Sequence, residues 1–424
     1  MKLVSRNGRR DDLAIEGRVI APGQGIDECL RLTIEKGLII RIEPSGSSRT
    51  VIAPAFVDPH VHLRTPGRED EETLASGTEA AAAGGYCALL AMPNTEPVVD
   101  SAIVLRGLQE RAREEALVPT GFMAAISKGQ LGEELTEMAE LAEAGVAAFT
   151  DDGRPVVSAS LMRRALQYGA LTARPLAVHC EEPTLSRNAH AHEGAVSAVL
   201  GLGGYPSLAE SLMVERDLAL AGAEERPLHL MHLSARESVE ALHAAQERGV
   251  EATGEVTPHH LCATDEAVRS LDANLKMNPP LRAEGDRQAL LLGLRDGTIA
   301  AVATDHAPHA RHEKEVPFEE APFGVTGLET SFAALHTYLV RPGVLTLETV
   351  LERMSTGPAR IFGLEEPRID VGATANLAVL DLDAEWTVSE DGFRSRSANS
   401  WLLGRTLRGR VVKTVADGRV VFDL

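Results

Sequence analysis

The chain has only four cysteines in 424 residues, Cys29, Cys87, Cys180 and Cys262, and no two of them form a C-x-x-C pair. That scarcity excludes a zinc ribbon and a disulfide framework, and it points to a reducing, cytoplasmic setting. Lysine is scarce as well: Lys2, Lys36, Lys128, Lys276, Lys314 and Lys413 are the whole set, a balance that fits a G+C-rich genome or heat adaptation. Positive charge is short overall. Forty-two Lys and Arg against 62 Asp and Glu leave a formal charge of -20, which argues against nucleic acid and anionic membranes as partners, since both need a basic face. Long apolar runs are missing too. The first ten residues lack the apolar core of a signal sequence and no later stretch is long enough to span a bilayer, so the expectation is a protein neither exported nor anchored.

What is present is a 44% apolar share, enough for a substantial core. Residues 13–50 read as short β-like runs, 13–20 and 38–42, set off by Gly, Pro, Asp and Ser. After Pro54 the texture changes. Short apolar runs at 87–92, 121–126, 146–150, 176–178, 228–231 and 299–303 alternate with Ala- and Glu-rich helical segments, the pattern of a parallel barrel. The tail reverts to β-like runs at 375–382, 411–415 and 419–422. The fold expected is therefore α/β: a (β/α)8 TIM-like barrel over 54–365, with a small composite β-sandwich domain built from 1–53 plus 366–424.

His60-Val61-His62 lies where the apolar run 51–57 ends and Asp58-Pro59 turns the backbone outward. In an extended segment residues two apart project to one side, so both imidazoles can hold one cation while Val61 faces away. The plain alternative is two histidines bonded to their neighbours. Against it, ligand-type residues follow the other runs: Asn94 after 87–92, Asp151 and Asp152 after 146–150, His179 after 176–178, His232 after 228–231 and Asp305 after 299–303. Parallel barrels place their chemistry at that end. Four His and two carboxylates exceed what one tetrahedral zinc takes, and they fit two metals sharing a bridging carboxylate and hydroxide; by ligand type alone zinc, cobalt or manganese would serve. Asp151-Asp152-Gly153 also reads as a turn and Asp305 as a helix cap. His259 and His260 read as structural, and His190, His192, His243 and His312 as solvated. Arg64, two residues past His62, makes sense beside metals chiefly as a fork for a substrate carboxylate. Asn94 and Asn278 add neutral donors for the same group. Residues 310–322, polar and broken by Pro, read as a mobile loop over the site.

The ordered set Asp58-Pro59-His60-Val61-His62-Leu63-Arg64, Met92-Pro93-Asn94-Thr95, Phe149-Thr150-Asp151-Asp152-Gly153, His179-Cys180-Glu181, Met277-Asn278-Pro279-Pro280-Leu281-Arg282 and Asp305-His306-Ala307-Pro308-His309 resembles the dihydroorotases of the longer bacterial type, in the amidohydrolase superfamily. The resemblance implies reversible cyclisation of N-carbamoyl-L-aspartate to L-dihydroorotate in pyrimidine synthesis, by a hydroxide shared between two zinc ions with Asp305 as general base and acid. It implies His60, His62 and Asp305 at one zinc, His179 and His232 at the other, and Asp152 as the bridge in preference to Asp151 or a carboxylated Lys128. His62, Arg64, Asn94, Asn278, His309, Phe323 and Gly324 would contact the substrate. The partners implied are a small-molecule substrate, a second copy of the chain in a homodimer, and aspartate transcarbamoylase. Two rivals stand beside this reading: another cyclic amidase, such as a dihydropyrimidinase, hydantoinase or allantoinase, and a non-catalytic scaffold for aspartate transcarbamoylase.

Overall fold

The computed structural model describes residues 1–46 and 48–424. Among the described residues, four strands open the chain, β1 (Leu13–Ala21), β2 (Ile26–Glu35), β3 (Leu38–Pro44) and β4 (Thr50–Pro54). The next nine are β5 (Phe56–Val61), β6 (Tyr86–Ala91), β7 (Thr120–Phe122), β8 (Leu176–Val178), β9 (Ala191–His192), β10 (Gly204–Tyr205), β11 (Leu228–Leu230), β12 (Ala252–Val256) and β13 (Ala301–Val302). Three close the chain, β14 (Leu377–Thr387), β15 (Thr406–Ala416) and β16 (Arg419–Asp423).

The barrel closes through parallel pairings. β5 pairs with β6 and β6 with β7. Bridges from Ala124 to Phe149 and from Phe149 to Leu176 carry the ladder to β8, and β8, β11, β12 and β13 follow in order. A bridge from Val61 to His306 completes the ring. The apolar run 146–150 thus acts as a strand through one paired residue. The run 51–57 belongs to two structures: β4 pairs in the terminal sheet, and β5 starts the barrel one residue later, after Ala55. The barrel strand with no counterpart in the sequence reading is β12, whose Ala-Thr-Gly-Glu-Val carries no apolar run.

Helices cover the barrel with amphipathic faces. Helix Ala159–Gly169 buries Leu161, Met162, Ala165 and Leu166, one stripe at helical spacing, and starts where the Ser158 hydroxyl accepts the Leu161 N–H at 3.2 Å. At the seam between first and last strands, Asp58 accepts from His60 N (3.2 Å), Thr304 N (3.1 Å) and Thr304 Oγ1 (2.5 Å). Burial pushes this carboxyl up to about 7 against those hydrogen bonds.

The terminal strands form one seven-stranded sheet, ordered β16-β15-β14-β4-β1-β2-β3. It coils over its own core: Ile39 near one edge and Val415 near the other share an apolar cluster with Leu32, Ile52 and Val379. The hairpin turns at Gly37 and Gly418 meet, with φ of 75° and 71°. A Cβ on Gly418 would lie 2.5 Å from the Gly37 Cα, so the approach requires glycine at both turns. Residues 310–322, expected as a mobile loop, instead contain a short helix, Arg311–Lys314, and are pinned by two buried lysines. Lys314 Nζ donates to the carbonyls of Pro322 (2.7 Å) and Ala273 (3.1 Å), and Lys276 Nζ to those of Phe318 (2.8 Å) and Glu319 (2.9 Å).

Candidate metal and substrate site

The C-terminal ends of the strands bring His60, His62, Asp152, His179, His232 and Asp305 together. Three residues there hold left-handed backbone that non-glycine residues rarely adopt: Arg64 (φ 55°), His232 (φ 33°) and Asp305 (φ 48°). The extended alternation that would aim Arg64 along His62 is therefore broken, and Arg64 reaches the site through a turn.

Asp152 is the hub. Its Oδ1 lies 3.5 Å from His60 Nε2, 3.6 Å from His232 Nε2 and 3.7 Å from His179 Nδ1, and its Oδ2 lies 3.5 Å from His62 Nε2. Asp305 Oδ1 lies 3.1 Å from His62 Nε2 and 3.5 Å from His60 Nε2. Burial alone would push both carboxyls up. The charge of His60 and hydrogen bonds from the surrounding imidazoles hold Asp152 and Asp305 well below the usual carboxylate range, so both are ionised acceptors at neutral pH. His60, His62 and Asp305 form one set of ligand atoms within 4.8 Å of one another, and His60, Asp152 and His232 a second.

Outer partners fix which nitrogen faces inward. His60 Nδ1 is 2.8 Å from Glu255 Oε1, His62 Nδ1 is 3.0 Å from Asn94 Oδ1, and His179 Nε2 is 2.8 Å from Glu181 Oε2. Each acceptor takes the outer ring N–H, so once the inward nitrogen gives up its proton its lone pair points at the cluster, the arrangement metal-ligating imidazoles use. Among the described residues, His60 Nε2 is buried with no hydrogen-bond partner. An orphaned imidazole nitrogen among two carboxylates and three more imidazoles fits a metal ion, because only a cation satisfies all these donors at once.

The other expected residues fall in definite places. A cavity of about 220 Å³ is lined by His62, Arg64, Asn94, Asp152, His179, His232, Asn278, Asp305, Phe323 and Gly324. His60 lies behind this wall. His309 does not line the cavity either: its Nδ1 is 3.1 Å from Glu71 Oε1 and its Nε2 2.8 Å from the Phe323 carbonyl. The Gly324 N–H donates to Lys276 O (2.9 Å) and its carbonyl accepts from Asn399 Nδ2 (3.2 Å), so Gly324 offers a ligand shape in place of free backbone groups. Asn278 donates Nδ2 to Glu181 at 3.0 Å and keeps a buried, unpartnered Oδ1. Asp151 turns away, accepting from Ile126 N (2.8 Å) and Ser127 N (3.1 Å). Lys128 is exposed and paired with Glu134 at 2.6 Å. His260 is structural, bonded to Thr257 Oγ1 (2.8 Å) and Pro279 O (2.9 Å). Sequence reasoning missed Glu255, Glu181 and Glu71, of which only Glu181 carried a signal, two residues past His179.

A closed parallel barrel with imidazoles and carboxylates converging at its C-terminal mouth defines a metal-dependent amidohydrolase of the cyclic-amide type. Solved structures agree in fold: an L-hydantoinase (dihydropyrimidinase) from Arthrobacter aurescens has a TM-score of 0.86 at 24% identity, covering 97% of this chain and 96% of that one. A dihydropyrimidinase from Brevibacillus agri reaches 0.83 at 20% identity, covering 97% and 95%. Sequence resolves the family. Residues 49–238 match the family described as dihydro-orotase-like. A dihydroorotase from Anaeromyxobacter sp. (strain K) is 46% identical over 97% of this chain and 98% of its own length. Another, from Caldanaerobacter subterraneus subsp. tengcongensis, is 42% identical over 97% of both. The chain belongs to the dihydroorotase family.

Proposed function

We propose that the chain catalyses the reversible cyclisation of N-carbamoyl-L-aspartate to L-dihydroorotate as a cytoplasmic step of pyrimidine synthesis. The observation that carries the reading is Arg64, a guanidinium on the wall of the same small cavity that exposes the His and Asp cluster. A fixed, always-charged fork beside a cyclic-amide centre suits a ring that bears a carboxylate.

Two zinc ions fit the donor set: His60, His62 and Asp305 would hold one, His179 and His232 the other, with Asp152 between them. When bound, such a pair supplies a nucleophile at neutral pH and polarises a carbonyl. The chain's own residues do the rest. Asp305, ionised, takes the proton of the attacking water during ring opening and delivers it to the departing ring nitrogen. In closure it removes a proton from the ureido nitrogen and returns one to the leaving oxygen, and net uptake of a proton makes lower pH favour the ring. Arg64 and the Asn94 amide hold the carboxylate; Asn278 Oδ1 accepts a ring N–H; Phe323 and Gly324 close the wall.

The reading as a neutral-ring amidase has the fold of the hydantoinases in its favour. It leaves Arg64 without a purpose, and it leaves the only lysine in the barrel's first half, Lys128, at the surface. The deciding experiment offers dihydroorotate, carbamoyl aspartate, dihydrouracil, hydantoin and allantoin to protein of measured zinc content. Turnover confined to the first two is expected; a neutral ring turned over equally well overturns the proposal, and no turnover by zinc-loaded protein favours a scaffold. Arg64→Ala removes a charged hydrogen bond worth about 1.5–3 kcal/mol and raises KM for dihydroorotate roughly 10- to 150-fold. A homodimer and a complex with aspartate transcarbamoylase rest on the family resemblance; sizing the chain alone and mixed with that enzyme tests both.

A further inference from the structure

Glu71, His309 and Glu313 bring ligand atoms within 4.8 Å of one another, the outline of a cation site. The surrounding charge argues against one. Arg64 Nε lies 2.8 Å from Glu71 Oε2, and Arg68 Nη2 lies 2.8 Å from Glu71 Oε1 and 2.6 Å from Glu313 Oε1. Two guanidinium groups already supply the positive charge these carboxylates require, and a metal ion would be repelled by both.

What the cluster holds in place is Arg64. A long, flexible side chain on a left-handed backbone has no fixed direction of its own. Here its Nε is tied to Pro308 O at 3.1 Å and to Glu71, and its Nη2 meets His309 Nε2 at 3.3 Å. His309 is oriented in turn through Nδ1 by Glu71 Oε1 at 3.1 Å. One carboxylate, 1% exposed, therefore grips Arg64 with one oxygen and His309 and Arg68 with the other. Burial alone would push its carboxyl up, but the hydrogen bond from His309 and the charge of Arg64 hold it below its usual range. Arg64 lines the cavity; Glu71 and His309 do not.

We propose that Glu71 is the positioning residue of the substrate-carboxylate clamp: it acts through Arg64, fixing the guanidinium at the cavity wall, and so sets affinity for carboxylated rings. This rests on the reading of Arg64 given above. Three variants and their combination test it: Glu71→Gln, Glu71→Asp, Arg64→Ala, and Glu71→Gln with Arg64→Ala, each with measured zinc content, kcat and KM for L-dihydroorotate. Glu71→Gln is expected to raise KM about tenfold or more with kcat within about twofold and zinc unaltered, since a guanidinium displaced by an ångström loses much of its worth. In the Arg64→Ala background the same change is expected to cost nothing further, because its only route is gone. Glu71→Asp keeps the charge and withdraws the oxygens by one methylene; it gives the same pattern with a smaller rise, and it serves if Glu71→Gln does not fold. An unaltered KM in folded Glu71 variants overturns the proposal. So does an equal loss with and without Arg64, or a loss confined to kcat and zinc. If Arg64→Ala itself leaves KM unaltered, the carboxylate reading fails, and this proposal with it.

Discussion

His60 is held from behind by a chain of polar side chains that runs into the barrel. Its Nδ1 is 2.8 Å from Glu255 Oε1; Glu255 Oε2 is 3.0 Å from His229 Nε2; His229 Nδ1 is 2.8 Å from Thr253 Oγ1. Burial would raise the Glu255 carboxyl, yet hydrogen bonds from His229 and His60 hold it at about 2, so it is a full acceptor at any working pH. A charged acceptor makes the imidazole a more basic and better directed ligand. Glu255→Gln is therefore expected to weaken zinc retention about 10- to 100-fold, read as the free-zinc level, buffered by a chelator, at which the protein half-empties. Its turnover returns when zinc is raised, whereas that of Asp305→Ala does not; unchanged retention in Glu255→Gln would remove this role. The convergence of His60, Asp152, His179, His232 and Asp305 was legible in the sequence because each follows an apolar run at the same end of its strand. Their supports were not. Glu255 sits in a strand with no apolar run, and Glu71 lies in Arg68-Glu69-Asp70-Glu71-Glu72, a charged run with nothing in it to show that the fold buries both Glu71 and Glu72.

Residues 310–322 show what sequence texture hides at the scale of an element. Two prolines and a run of charges suggested mobility, but two of the chain's six lysines enter this segment's backbone carbonyls, and Lys276 also lies 4.8 Å from the centre of the Phe323 ring beside the cavity. Burial brings the Lys314 ammonium down to about 7. Its pKa is thus depressed relative to the opened segment, where the ordinary value of 10.5 applies. The opened state binds more protons between pH 7 and 10.5, so closure gains stability as pH rises through that window and loses it as pH falls towards 7. From pH 7 to 9 the gain is on the order of 2 kcal/mol. Hydrogen exchange of residues 310–322, corrected for intrinsic rates, is expected to slow by more than tenfold over that interval, and Lys314→Met is expected to abolish the change. Equal pH dependence in both proteins would remove Lys314 as the pin. The barrel strand β12 escaped the sequence for a related reason: a closed ladder drafts into pairing a segment whose own composition does not ask for it.

For the whole molecule the question is how the two ends of the chain make one sheet. β4 joins them, paired with β1 on one side and β14 on the other, and Ala55 passes the chain directly into β5. The textures of residues 13–50 and 375–422 showed that both ends were β; they did not show that the sheet coils until its outer hairpins touch. That contact is backbone on backbone: Ala375 donates to Gly37 O at 2.9 Å and accepts from Gly418 N at 3.0 Å, while Asp11 accepts from Gly37 N at 3.0 Å and donates to Gly418 O at 2.9 Å. If this closure contributes to stability, a methyl group between the turns must cost more than the same methyl on an equally left-handed glycine in open space. Gly404 supplies the comparison, with φ of 73° and nothing within 4 Å of a Cβ. Gly404→Ala carries only the backbone strain, about 1–3 kcal/mol; Gly418→Ala adds a collision with Gly37 that neither backbone can relieve without breaking those hydrogen bonds. The expected result is a clearly lower melting temperature for Gly418→Ala than for Gly404→Ala, with KM for dihydroorotate unaltered in both because neither position lines the cavity. Equal melting temperatures would mean that the hairpin contact adds nothing to the stability that the pairings of β4 already supply.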